Sequence, residues 1–220
     1  MLKNVGVVLS GCGVFDGSEI HEAVAILMAL DKLGAKGICI APNLPQTMVV
    51  NHLSRAAEAK TRNILEESAR IARGKIRDIA TVKETELDAL IFPGGFGAVK
   101  NLCTYAVDGS KCVVNLHVSR LMMEMHQAKK PIGLACIAPV LAATLFGNHG
   151  LRPHITIGTD EGTAHTLQVM GAVHVNTEPA DICVDLANKL VTTPCYMTAT
   201  GPWQVFQGAE KMVEKVLELM

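Results

Sequence analysis

The chain lacks any apolar run long enough to cross a membrane, any block of like charge, and all but a few aromatic rings. Each lack closes off a class of function. Aromatic residues make up 4% of the 220 residues, with five Phe, two Tyr and one Trp, too few for a base-stacking platform. The 20 basic and 21 acidic side chains leave a formal net charge of −1. That balance gives no footprint for nucleic acid and no polybasic patch for a membrane surface. No Cys-x-x-Cys pair occurs and no His/Cys cluster has zinc-ligand spacing, so no metal is expected. A phosphate-binding loop is missing, and Ser10–Gly13 lacks the third glycine of a dinucleotide fingerprint, so no cofactor is expected either. There is no internal repeat and no Pro/Ser-rich linker, which predicts one domain over residues 1–220.

Seven cysteines are present, an odd number at irregular spacing: Cys12, Cys39, Cys103, Cys112, Cys136, Cys183 and Cys195. They read as reduced thiols of a cytoplasmic protein. The apolar start passes straight into Gly11-Cys12-Gly13 without a signal-cleavage pattern. An organellar matrix is the alternative if a transit peptide has been removed.

Strand-like and helix-like segments alternate. Short apolar runs at 5–9, 37–41, 89–92 and 131–135 predict strands, with a further one at 155–157 and a hairpin over 182–192. Helical spacing predicts helices over 19–33 (capped by Ser18), 61–73, 114–129, 137–146, 162–170 and 203–219. This rhythm argues an α/β fold with a mostly parallel sheet and helices on both faces. In such a fold, ligands bind beyond the carboxyl ends of the strands.

Several groups at those ends are candidates for chemistry. Cys136 ends an apolar run, and a helix-compatible run begins straight after it. Helix backbone N–H groups there would lower its pKa; the alternative is an ordinary buried core thiol. Glu22 lies on the first helix beside Ala25, Ile26 and Ala29. A buried carboxyl beside a thiol would stay protonated and donate to a thiolate, whereas an exposed one would serve the helix dipole. Glu19 fits the exposed role better. Pro93-Gly94-Gly95-Phe96-Gly97 leaves backbone N–H groups open to an anion, either as an oxyanion site or as a plain turn. His21, His149, His154 and His165 lie near candidate loops, and spacing singles out none of them.

Five ordered stretches then carry a resemblance. They are residues 10–23, 92–98, 130–139, 156–160 and 191–194, including Ser-Gly-Cys-Gly, Phe-Pro-Gly-Gly-Phe-Gly-Ala, Lys-Pro-Ile-Gly-Leu-Ala-Cys-Ile-Ala-Pro and Thr-Ile-Gly-Thr-Asp. Together they resemble the ElbB family, within the class I glutamine amidotransferase-like/PfpI superfamily, over nearly the whole chain. The resemblance implies a flavodoxin-like three-layer sandwich and usually a homodimer. It implies Cys136 as nucleophile, Glu22 as its acid partner, and Gly94, Gly95 and Ile137 as the oxyanion and substrate-binding loop. Cys12, His21, Asp160 and Glu161 are expected around them. It also implies a cofactor-independent lyase that converts glyoxal to glycolate, an activity that can reflect deglycase action, and a link to isoprenoid biosynthesis.

In much of the superfamily a histidine follows the next strand, where this chain has Gly158. Asp160, Glu161 or another histidine would have to substitute. An amine leaving group needs a general acid, whereas an aldehyde has no leaving group to protonate. The departure therefore favours a small dicarbonyl over a peptide. The expected route is a Cys136 thiolate hemithioacetal. Rival readings are a redox or carbonyl-stress sensor with an oxidisable Cys136, and a non-catalytic binding protein.

Overall fold

In a computed structural model, which describes residues 2–220, the chain alternates strands and helices almost throughout. The first half runs β1 (Asn4–Val8), α1 (Ile20–Lys32), β2 (Lys36–Ala41), β3 (Val49–Val50), β4 (Ala57–Glu58), α2 (Ile64–Ile71), β5 (Ile76–Asp78), β6 (Ala89–Phe92), α3 (Phe96–Lys100) and α4 (Tyr105–Asp108). The second runs α5 (Leu116–Gln127), β7 (Ile132–Ala135), α6 (Pro139–Asn148), β8 (His154–Ile155), α7 (Glu161–Val169), β9 (Val173–His174), β10 (Cys183–Asp185), β11 (Leu190–Thr193) and α8 (Pro202–Glu218). Seven strands form the central sheet in the order β10-β11-β7-β6-β1-β2-β5. All its pairings are parallel except β10 with β11, the hairpin expected there. This is the expected flavodoxin-like three-layer α/β architecture.

Period-2 alternation sends neighbouring residues to opposite faces. Val8, Leu90, Phe92, Ile132, Leu134 and Leu190 enter one core with Leu121, Met122 and Met125 of α5 and the apolar residues of α6. Val5, Val7, Ala89, Ile91, Ala135 and Val191 enter the other, with Ile26 and Leu30 of α1 and Val205, Met212 and Val213 of α8. Burying a side chain such as Ile26 completely contributes roughly 1.5–3 kcal/mol. Covering both faces is what makes the central strands β6 and β7 apolar from end to end.

Helix starts differ from the expectation where side chains cap them. Ser18 does not cap α1; its Oγ accepts from the Ser10 N–H at 2.9 Å, and Glu19 is the cap. The second helix begins only at Ile64, because Asn63 Oδ1 accepts from the N–H groups of Leu65 (2.8 Å) and Glu66 (3.2 Å). Likewise Asn115 caps α5 through the His117 and Val118 N–H groups.

The chain leaves β1 towards β2 and β5 on one side, then returns to β6 on the other. This reversal opens a crevice at the carboxyl ends of β1 and β6, the place where doubly wound sheets bind ligands. β7 lies next to β6, so the segments after β1, β6 and β7 converge there.

Candidate active site

Those three segments supply α1, the Pro93-Gly94-Gly95 turn and Cys136. Cys136 has φ +58°, in the left-handed region, at a cost on the order of 1–3 kcal/mol for a residue with a Cβ. The surroundings hold it there. Its N–H donates to the Thr193 carbonyl of β11 at 2.9 Å, and the Ala138 N–H donates to the Ala135 carbonyl at 2.9 Å. This turn delays α6 to Pro139, two residues after the expected start, and proline suits that first position because it has no N–H to satisfy.

Glu22 is fully buried. Its Oε2 accepts from the Gly94 N–H at 2.8 Å and its Oε1 from the Tyr196 N–H at 3.2 Å. Its carboxyl is hydrogen-bonded to the Cys136 thiol, and the Gly95 and Ile137 N–H groups point at the sulfur. Burial, followed by repulsion from Glu19, raises the Glu22 pKa to about 7 despite the Tyr196, Cys136 and Gly94 hydrogen bonds that favour the anion. Burial, together with the Glu22 charge, also pushes the Cys136 thiol well above its ordinary range. The two N–H donors act in the opposite direction and are outweighed. The backbone N–H groups act in the expected direction, and the correction is that burial and the Glu22 charge outweigh them. The resting pair keeps its proton on sulfur, and the carboxylate beside it is poised to take that proton.

Gly94 cannot carry a side chain here. A Cβ would overlap Cys136 Cβ and lie 2.8 Å from Glu22 Oε2 and 3.0 Å from Cys136 Sγ. Gly94→Ala is expected to destabilise the fold by about 1–3 kcal/mol and, on the functional reading proposed below, to lower turnover at least about 100-fold, because the crowded atoms belong to Cys136 and Glu22. Urea unfolding and a turnover assay check this; an alanine variant with normal turnover would contradict the placement.

A cavity of about 600 Å³ opens onto Cys136. Gly95 and Ile137 line it, as expected, and so does Asp160. The Asp160 carboxyl caps α7 by accepting from the Thr163 N–H at 2.8 Å, which lowers its pKa. His21 reaches the site indirectly: its Nδ1 lies 2.7 Å from the hydroxyl of Tyr196, a cavity residue. Cys12 and Glu161 are not brought to the thiol, contrary to expectation. Cys12 lies beyond β1 among Glu67, Arg70, Asp16 and Arg62, and Glu161 faces a separate groove with His165 and His174. Asp160 stands at the exposed rim of the cavity, and Glu161, the first residue of α7, lies on the other groove.

Glu19 is a further correction. It is buried and lines the cavity, and its Oε2 accepts from the Glu22 N–H at 2.8 Å. The Glu-x-x-Glu spacing at 19 and 22 was the available signal. Tyr105, Thr163, Tyr196 and Met197 also line the cavity and had no local signal. At Gly158 (φ +89°) a Cβ would press on the Thr198 side chain and lie 3.1 Å from Pro194 Cβ, so the superfamily histidine has no room there.

No family model matches the chain. It is 49% identical over 225 residues to the human glutamine amidotransferase-like class 1 domain-containing protein 3, mitochondrial, covering 98% of this chain and 82% of that protein. The chain belongs to the class 1 glutamine amidotransferase-like family. A crystal structure of an isoprenoid biosynthesis protein with an amidotransferase-like domain, from Ehrlichia chaffeensis, superposes on this family member with a TM-score of 0.91 at 34% identity, covering 99% of this chain and 100% of that one. Drosophila melanogaster DJ-1beta superposes with a TM-score of 0.55 at 18% identity, covering 100% and 96%, and so has the same fold.

Proposed function

We propose that the protein is an ElbB-type, cofactor-independent glyoxalase that converts glyoxal to glycolate. The observation that carries this reading is the buried Glu22 carboxyl bonded to the Cys136 thiol, beneath the converging Gly95 and Ile137 N–H groups. Sulfur attacks one carbonyl carbon of glyoxal as Glu22 takes the thiol proton. The oxyanion is held by the Gly95 and Ile137 N–H groups and is protonated to a hemithioacetal. Glu22, having passed the thiol proton to that oxygen, takes the C–H proton and returns it to the neighbouring carbon of the enediol, while the hydroxyl proton passes to the neighbouring oxygen. One carbon is oxidised to a thioester while the other is reduced to an alcohol, so no outside oxidant is needed. Water cleaves the thioester, releasing glycolate and restoring the thiol.

The absence of a histidine at position 158 supports this choice over amide hydrolysis, which needs an acid for the leaving amine. The cavity is larger than glyoxal requires, which supports a wider deglycase role on glycated groups. The name of the human relative places that protein in mitochondria, which supports the organellar alternative for this one over the cytoplasm. The test is stoichiometric glycolate formation from glyoxal by protein freed of contaminating glyoxalases, with no cofactor added. Glyoxal left unconsumed would overturn the proposal.

A further inference from the structure

A pair of thiols lies near the cavity. Cys103 and Cys112 are both buried, at 4% and 5% exposure, and neither is in a disulfide. Cys103 forms an antiparallel bridge with Val114, the Thr104 N–H donates to the Val113 carbonyl at 3.1 Å, and the Asn115 N–H donates to the Leu102 carbonyl at 2.8 Å. This short ladder brings the chain back on itself, so that the Cys112 thiol comes within interaction range of the Cys103 thiol, which donates to the Ala98 carbonyl at 3.5 Å. The segment they enclose holds α4, whose Tyr105 and Ala106 line the cavity over Cys136. Cys112 Sγ also lies 3.1 Å from Thr144 Oγ1 on α6, the helix that follows Cys136.

We infer that Cys103 and Cys112 form a redox-active dithiol, separate from Cys136, which closes to a disulfide under a peroxide and restrains the Tyr105–Ala106 wall of the cavity. Interaction with Cys103, helped by the Thr144 hydroxyl, lowers the Cys112 pKa, whereas that same interaction, followed by burial, pushes Cys103 up. Cys112 is therefore the attacking thiolate. Cys112 lies between two exposed residues, Lys111 and Val113, close beneath the surface. Cys112 sulfur attacks one peroxide oxygen, the O–O bond breaks, and hydroxide leaves as Cys112 becomes a sulfenic acid. Cys103 sulfur then attacks Cys112 sulfur. The S–O bond breaks, and the hydroxyl departs as water with the Cys103 proton. Two thiols lose two electrons in all, and one hydrogen peroxide becomes two waters.

Formation of the disulfide does not depend on the glyoxalase reading; its effect on turnover does. The test treats Cys136→Ser protein with hydrogen peroxide and then maps alkylated peptides by mass. The expected result is a loss of two hydrogens and a linked pair of peptides carrying Cys103 and Cys112. Both thiols remaining open to alkylation, or Cys112 passing to a sulfinic acid without a link, would overturn the inference. In the wild type, kcat/KM for glyoxal is expected to fall by about tenfold on closure and to return with dithiothreitol. Cys112→Ser should keep its basal turnover and lose that reversible component. Closure of the disulfide with unchanged turnover would overturn the restraint of the cavity wall.

Discussion

On the proposed glyoxalase reading, replacing Cys136 by serine is expected to lower glyoxal turnover on the order of 1,000-fold or more, with a stability change of about 1 kcal/mol or less. The two effects separate because the site asks different things of one atom. For folding, residue 136 must tolerate φ +58° and fill a small buried space, and serine does both. The hydroxyl also meets polar partners, since Gly95 and Ile137 N–H groups and the Glu22 carboxyl already converge there. For chemistry, the residue must form a bond to a carbonyl carbon, and a hydroxyl gives up its proton to a carboxylate far less readily than a thiol does. Turnover and thermal unfolding of the same preparation check the prediction. A serine variant that turns over glyoxal normally would remove Cys136 from the mechanism.

Glu22→Gln is the second large change, expected to lower turnover about 100- to 10,000-fold through loss of the general base. Its effect on stability depends on pH. Glu22 has its pKa raised to about 7 in the fold from an ordinary value of 4.5. Below the ordinary value both states are protonated and the group costs nothing. Between the two values the unfolded chain releases a proton that the folded chain keeps, so stability falls as pH rises. Above about 7 the full cost remains, about 3 kcal/mol. Glutamine carries no such charge, but its NH₂ must face one of the two N–H donors, Gly94 or Tyr196, that now meet carboxyl oxygens. That mismatch costs about 1–3 kcal/mol at any pH. The variant should therefore be less stable than the wild type near pH 5 and should recover relative to it by about 3 kcal/mol near pH 8. Urea unfolding at both pH values measures the swing; a constant difference would mean that Glu22 does not titrate in this window.

What the sequence made legible was local. The glycine pair at 94–95 and the strand end at Cys136 could be read because one segment contains each whole feature. The alternation of apolar runs was enough for the sheet and its two covered faces, since burial on both sides leaves a pattern within each strand. The alanine neighbours of Glu22 left a buried and an exposed placement both open, and only the resemblance pointed to the buried one that the fold shows. Glu19 was misread, because an acid in a first turn has a sufficient reason to be there without being buried. Tyr196 and the α4 segment reach the cavity through long-range packing, which leaves no periodic trace. The thiol pKa was misjudged because the helix terminus is a local feature, whereas the burial that outweighs it belongs to the assembled core.

The most direct test of the Cys136–Glu22 pair is the pH dependence of kcat/KM for glyoxal in the wild type and in Glu22→Gln. The wild-type value should rise with pH through a midpoint near 7, as the Glu22 carboxyl becomes able to accept the thiol proton. The variant should show no step there and lie far below. A midpoint that survives unchanged in Glu22→Gln, or a rise in both proteins only at the ordinary thiol value of about 8.5, would contradict the account.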